Sequence, residues 1–463
     1  MTNPELVAGS FRDPSGQVYI RDGRILRSVR PYAKEHFELA RSSGLLDNLV
    51  GAGQLLPFEI VDPSILRELE PEAIKVLEHP PLTYVSYPYE WPFPALKAAA
   101  LLHLDIQLKA LDHGICLSDA SAYNIQFRGP NPVFIDHLSF RRYRDGDYWL
   151  GHGQFCQEFL CPLLLRTICG VAHNDWYRGS LNGVAVTDLA RILPLKGKFS
   201  WNVFVHVVLQ ARYQKLAVRR QAARDIKTRQ LPRESLKRML QSMRNWVSTL
   251  QPAQTGETAW QDYSNQHGYS EDELKAKKAF VHAYVTAQQP AVIWDIGCNT
   301  GSFSQVALDA GARTAIGFDM NQGSLEAAYA RAEKNALNLL PLYLDASNPS
   351  PAQGWGETER MGLGDRVAAD GLLALAVVHH LAITHNVPLD RVVTWLIGMA
   401  PSGVIEFVPK DDPMVKELLR LREDIFPDFT AERFLRLVED HARIERREQV
   451  SQSGRLLVMY RRD

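Results

Sequence analysis

Cysteine is scarce: there are five in 463 residues, Cys116, Cys156, Cys161, Cys169 and Cys298, odd in number and without paired C-x-x-C spacing. That excludes a disulfide framework and a zinc-ribbon site, and it predicts a reduced, cytoplasmic chain with no structural metal. Charge of one sign is also lacking. Fifty-two Lys and Arg against 53 Asp and Glu leave a formal net charge of −1, so no global attraction to nucleic acid is implied. No apolar run reaches membrane-spanning length. Met1 to Arg12 lacks the basic-then-apolar pattern of a secretory signal, so none is expected. Low-complexity tracts and internal repeats are absent, apart from the βα period described next. At 46% hydrophobic and 23% charged, the chain has an ordinary globular composition and the length for two or three domains.

The most informative stretch is Val292-Ile293-Trp294-Asp295-Ile296-Gly297-Cys298-Asn299-Thr300-Gly301. An apolar run meets an acid, then a turn with two glycines, then a helix start at Ser302. Glycines let a ligand approach the backbone, and a helix N-terminus offers it free N–H groups. Further apolar runs follow: Thr314–Phe318 ending in Asp319, Leu339–Leu344 ending in Asp345, Leu372–Val377 and Val404–Val408. Asp295, Asp319 and Asp345 are 24 and 26 residues apart, the length of a strand plus a crossover helix. A helix is expected from Ser324 to Asn338 and another from Pro413 to Glu423, then strands over Ala442–Val450 and Arg455–Arg461. Such βα units predict a doubly wound parallel sheet with its ligand at the carboxyl ends of the strands. The nicotinamide fingerprint G-x-G-x-x-G is missing; the loop reads G-x-x-x-G, with no glycine where a pyrophosphate would approach.

Residues 256 to 463 resemble the class I S-adenosylmethionine (SAM) dependent methyltransferases. Asp295-x-Gly297-x-x-x-Gly301 resembles their first motif, with Asn299 in place of the family's middle glycine. Asparagine still tolerates positive φ. The resemblance implies Asp319 at the ribose hydroxyls, Asp345 and Ala346 beside the adenine, and Val378-His379-His380-Leu381 beside the methyl group. The wording around Gly297, Ile405–Lys410 and Asp424–Asp428 is similar to nodulation-associated methyltransferase-like proteins. Methyl transfer is an in-line displacement, helped mainly by alignment, with a base needed for a weakly acidic hydroxyl or a protonated amine. His380 is the first candidate base and His379 the second. Glu406 could bind the acceptor, or be a structural carboxylate paired with Lys410. Ser270 and Glu273 predict a capping box for a helix running to Val285, and Trp260, Tyr263 and Tyr269 could line a lid. The long insertion Asn348–Asp370 is a second lid candidate.

The first 200 residues read differently. Gln17–Leu26 is a hairpin with Asp22-Gly23 at its turn, Tyr32–Ser43 a short helix and Pro94–Asp112 a long one. Asp119, Asn124 five residues on, and Asp136 at the end of Val133–Ile135 resemble the catalytic and metal-binding loops of protein-kinase-like phosphotransferases. Leu117 stands where that family has histidine, His137-Leu138 replaces Phe-Gly, and neither a Gly-rich loop nor a strand lysine is evident. A kinase-like domain that has lost phosphotransfer fits these losses. Between the two regions, 11 Lys and Arg from Arg212 to Arg244 face only Asp225 and Glu234. They read as the solvated face of a linker, or as a nucleic-acid surface.

The expectation is therefore an α/β chain in three parts. Residues 1–200 form an α+β accessory domain, kinase-like in outline, and 201–255 a basic helical linker. Residues 256–463 form a doubly wound, Rossmann-like methyltransferase sheet of seven strands. The implied cofactor is SAM, the acceptor an O or N nucleophile on a small molecule or glycan. The alternatives are a bifunctional kinase-methyltransferase, an RNA methyltransferase using 212–244, or a regulator that only senses SAM.

Overall fold

Val292–Ile296 (β1) is the third strand across a seven-stranded sheet in the computed structural model, which describes residues 5–198, 200–212, 230–253, 270–420 and 423–462. The other strands are β2 (Thr314–Asp319), β3 (Leu339–Tyr343), β4 (Gly371–Ala374), β5 (Ser402–Phe407), β6 (Arg443–Gln449) and β7 (Leu456–Arg461). Their order is β3-β2-β1-β4-β5-β7-β6. The first five are parallel, and β7 joins β5 and β6 antiparallel. Strands β1 to β5 are buried nearly throughout, which is why the sequence shows them as continuous apolar runs and not as alternation. The chain order reverses between β2, β1 and β4, so a crevice opens beyond the end of β1.

The helices of this unit are α1 (Glu271–Gln288), α2 (Ser302–Asp309), α3 (Gln322–Lys334), α4 (Leu389–Gly398), α5 (Pro413–Leu419) and α6 (Ala431–Glu439). The capping box that starts α1 is present, with Glu273 N–H donating to Ser270 Oγ at 3.2 Å and Ser270 N–H to Glu273 Oε2 at 2.7 Å. Phe280, Val281 and Tyr284 of α1 pack with Ile293, Leu373, Val404 and Leu457 in one core cluster. Strand β4 stops at Ala374, not at Val377 as its apolar run suggested. Two residues on, Ala376 takes φ +56, which breaks the extended backbone. Helix α3 likewise ends at Lys334, short of Asn338.

The chain divides into two compact units. One comprises 1–127, 131–255 and 352–360; the other comprises 128–130, 256–351 and 361–463. The first unit has an antiparallel sheet of five strands in the order Glu5–Leu6, Val18–Arg21, Arg24–Val29, Lys75–His79, Glu59–Val61. Asp22 (φ +50) and Gly23 (φ +76) make the tight turn of the expected hairpin. The 20-residue helix Phe93–Asp112 buries Leu96, Ala99, Ala100, Leu104 and Leu111. Segment 352–360, inside the insertion read as a lid, belongs to this first unit. Glu359 pairs with Arg12 at 3.0 Å, and the Arg360 guanidinium lies 4.2 Å from the centre of the Tyr123 ring.

Candidate active site

The loop after β1 is held open by backbone that few residues adopt. Gly297, Asn299 and Gly301 have φ of +75, +48 and +72. A Cβ at Gly297 would lie 2.5 Å from Val377 Cγ2, and one at Gly301 would lie 2.8 Å from Leu339 Cδ2. Only glycine fits both the torsion and the space at these two positions. Asparagine takes the left-handed region more readily than most residues, which is how Asn299 replaces a glycine. The loop is tied to the end of β2: Gly297 and Cys298 N–H both donate to Phe318 O, at 2.8 and 2.9 Å. Asp319 completes the tie, its Oδ2 accepting from Asn299 N–H at 2.9 Å and its Oδ1 from Asn321 N–H at 2.8 Å.

Beyond these strand ends lies a cavity of about 600 Å³, within the range of small-molecule and cofactor sites. Asp295, Gly297, Asn299, Asp319, Asp345 and Ala346 all line it. Gly301 does not; it sits behind the loop, against Ala328 and Leu339. Burial pushes the Asp295 carboxyl up to about 6 against the hydrogen bond from Ser304 Oγ at 2.6 Å, and burial also raises Asp319. Asp345 accepts from the N–H and hydroxyl of Ser347, at 2.9 and 2.6 Å. Apolar walls come from Phe303, Leu344, Leu375, Val377 and Met414. Three carboxylates on an otherwise largely apolar wall suit a ligand that carries a cation and sugar hydroxyls. Asn299 Oδ1 is buried without a hydrogen-bond partner, so the cavity also holds an acceptor ready for a donor.

The three candidate catalytic residues separate. His380 lines the cavity at the start of a π-helical turn, His380–Thr384, its pKa lowered to about 4 chiefly by burial. His379 is buried off the cavity wall with its ring centre 4.2 Å from that of His380, and neither of its ring nitrogens has a hydrogen-bond partner. Glu406 is fully buried, also off the wall, and its Oε2 lies 2.6 Å from Lys277 Nζ of α1. The proposed pairing of Glu406 with Lys410 is thereby corrected: Lys410 bonds Asp424 at 2.8 Å. Trp260, Tyr263 and Tyr269 lie outside the described residues.

Sequence reading missed the four cations of the wall, Lys277, Lys278, Arg331 and Arg455, of which Lys277 and Arg455 are buried. Burial pushes the Lys277 pKa down, opposed by Glu406, while Arg455 makes a buried two-pronged pair with Asp412 at 2.7 and 2.9 Å. The signal for Lys277 was its place in the apolar stripe of α1, with Leu274, Val281 and Tyr284 at helical spacing. Arg455 gave no such signal, because its partner Asp412 is 43 residues away in sequence.

Residues 274–353 match the family model of the FtsJ-like methyltransferases. Over 461 residues the chain is 45% identical to nodulation protein NoeA of Rhizobium meliloti (strain 1021), covering 99% of this chain and 96% of that protein. The chain belongs to the NoeA family of nodulation proteins. This NoeA-family chain is a SAM-dependent methyltransferase, and SAM is its cofactor. Among solved structures it is similar to the N-methyltransferase NodS of Bradyrhizobium japonicum WM9, at 13% identity over 42% of this chain and 98% of that one, TM-score 0.31. It is also similar to magnesium protoporphyrin IX methyltransferase of Synechocystis PCC 6803, at 16% over 45% and 90%, TM-score 0.31.

Proposed function

We propose that the cavity beyond β1 to β4 binds SAM and that the chain transfers its methyl group to an O or N nucleophile on a small molecule or glycan. The cavity lined by Asp295, Gly297, Asn299, Asp319 and Asp345 carries this reading. SAM supplies an electrophilic methyl on a sulfonium. Asp319 accepts from the ribose hydroxyls, Asp345 and Ala346 flank the adenine, and the loop from Gly297 to Thr300 lies along the methionine part. Lys277 and Arg455, each paired with a buried carboxylate, offer the methionine carboxylate N–H donors rather than a net positive charge. His380, neutral at physiological pH, takes the acceptor's proton; His379 positions its ring. The five free cysteines and the lack of any described helix long and apolar enough to cross a membrane support work in a reducing cytoplasm.

Incubating the full chain with methyl-labelled SAM and fractionated bacterial metabolites tests this. Label is expected in a polar, sugar-bearing fraction, and much less of it at limiting SAM when Asp319→Ala replaces the parent. Label in RNA alone would overturn the acceptor class. The basic stretch gives that alternative little support: Arg244 pairs with Asp105 at 2.5 Å and Lys237 with Asp112 at 2.6 Å, while 213–229 lie outside the described residues.

A second reading, a bifunctional kinase-methyltransferase, has one observation in its favour. Asn124 Nδ2 lies 3.1 Å from Asp119 Oδ2 and 3.5 Å from Asp136 Oδ2, so the three residues do meet. Against it, Arg27 on the strand Arg24–Val29 bonds Asp136 at 3.1 Å and also pairs with Asp13. A guanidinium already neutralises the carboxylate that would have to hold magnesium. We favour an accessory domain that has lost phosphotransfer.

A further inference from the structure

His152, Cys156 and His206 of the first unit offer two imidazole nitrogens and a thiol within 4.8 Å of one another. His152 Nε2 is 3.2 Å from His206 Nδ1 and 3.8 Å from Cys156 Sγ. A tetrahedral zinc ion with bonds of about 2.0–2.1 Å to nitrogen and about 2.3 Å to sulfur spaces two nitrogens about 3.3 Å apart, and a nitrogen and a sulfur about 3.6 Å apart. The two separations from His152 agree with these values within a few tenths of an ångström, and the third, from Cys156 Sγ to His206, lies within 4.8 Å.

The backbone supports the same arrangement. His152 and Cys156 are four residues apart on continuous helical backbone, so they project from one face. Both parts of the cluster meet π-helical segments: Cys156–Leu160 begins at the cysteine, and Phe204–Leu209 contains His206. Such segments recur at functional sites, and here they lie one on each side of the cluster. The rings are backed by aromatics: His206 stacks on Trp246 with centroids 6.1 Å apart, and His152 meets the edge of Trp149 at 6.5 Å. Cys156 and His206 are buried while His152 is half-buried, which leaves one side open to a fourth ligand.

We propose that His152, Cys156 and His206 bind one zinc ion, with a fourth position for water or an exchangeable ligand. A thiolate with two imidazoles favours a borderline-soft ion over magnesium or calcium. The histidines bind as neutral rings and Cys156 as thiolate, so each ion bound releases the thiol proton. The sequence hides this site, since H-x-x-x-C and a histidine 50 residues further on follow none of the usual paired spacings.

The test strips the full-length protein with a chelator and titrates it with cobalt(II), then zinc(II). One equivalent of cobalt is expected, with tetrahedral ligand-field bands and a thiolate charge-transfer band, all displaced by zinc. Zinc, but not magnesium, raises the melting midpoint of the stripped protein. Cys156→Ala, confirmed folded by circular dichroism, loses the charge-transfer band and weakens affinity by more than the roughly 10–100-fold that loss of an outer partner costs. His206→Gln is the second variant. Should neither variant fold, X-ray absorption of the zinc-loaded parent decides between one sulfur with two or three nitrogens and any other set. A parent without a stoichiometric tetrahedral spectrum, or variants with unchanged spectrum and affinity, would mean that the cluster is only a hydrogen-bonded pair of histidines beside a thiol.

Discussion

Asp319 ties down the loop after β1 and, in the proposed reading, also receives the ligand. Its two oxygens already accept from Asn299 and Asn321 N–H, and it lines the cavity. Asp319→Ala is expected to weaken SAM binding by about 2–3 kcal/mol, read by calorimetry, because ribose hydroxyls lose a charged acceptor. Unchanged affinity would remove Asp319 from the ribose. At Gly297 an added side chain would meet Val377 and would have to adopt φ near +75. Gly297→Val should therefore lower stability without ligand by about 1–3 kcal/mol, seen as an earlier thermal transition, as well as abolish the shift given by SAM. At His380 the folded pKa, about 4, lies below the ordinary 6.5. The neutral ring persists until pH falls toward 4, and the stability tied to it is complete above 6.5 and lost as pH drops through that window. Labelled methyl transfer through His380 should thus stay flat from about pH 8 to 5. A rate that titrates near 6.5 would argue against this residue, as would a His380→Gln loss of less than about 100-fold in kcat.

Helix α1 and strand β5 are joined by the ion pair of Lys277 and Glu406, at 2.6 Å and almost without exposure. Breaking such a pair from one side strands a buried charge and costs about 3–5 kcal/mol, whereas replacing both partners by apolar groups is often neutral. Glu406→Leu alone should lower the urea midpoint sharply, and Glu406→Leu with Lys277→Met should recover most of it. If the double variant is as unstable as the single one, the pair does more than neutralise itself. This contact also marks the limit of what local pattern reveals. Strands β1, β2, β3 and β5 were legible because parallel strands buried on both faces leave unbroken apolar runs, and the capping box at Ser270 because its parts are three residues apart. Lys277 with Glu406, and Arg455 with Asp412, were not: nothing in either segment names a partner 129 or 43 residues away. The end of β4 was misjudged because alanine gives no warning of positive φ.

At the scale of the whole molecule, the C-terminal unit was the more readable because the carboxylates that line its cavity, Asp295, Asp319 and Asp345, come at successive strand ends in chain order. The first unit brings Arg27 to Asp136 across 109 residues, which no spacing predicts. That ion pair gives a further test: ATP with magnesium should leave the melting curve of the full chain unmoved. A magnesium-dependent shift that Asp136→Asn removes would establish the bifunctional reading instead. Lastly, the two units do not own contiguous stretches of chain. Residues 352–360 belong with the first although they are encoded within the second, and 128–130 are placed the other way round. A gene cut near codon 255 therefore delivers neither half intact: the upstream product lacks the carboxylate that Arg12 binds and the guanidinium over Tyr123, while the downstream product carries both as an unplaced loop. Swapping either half between relatives as a cassette should fail unless the nine residues travel with the half they serve.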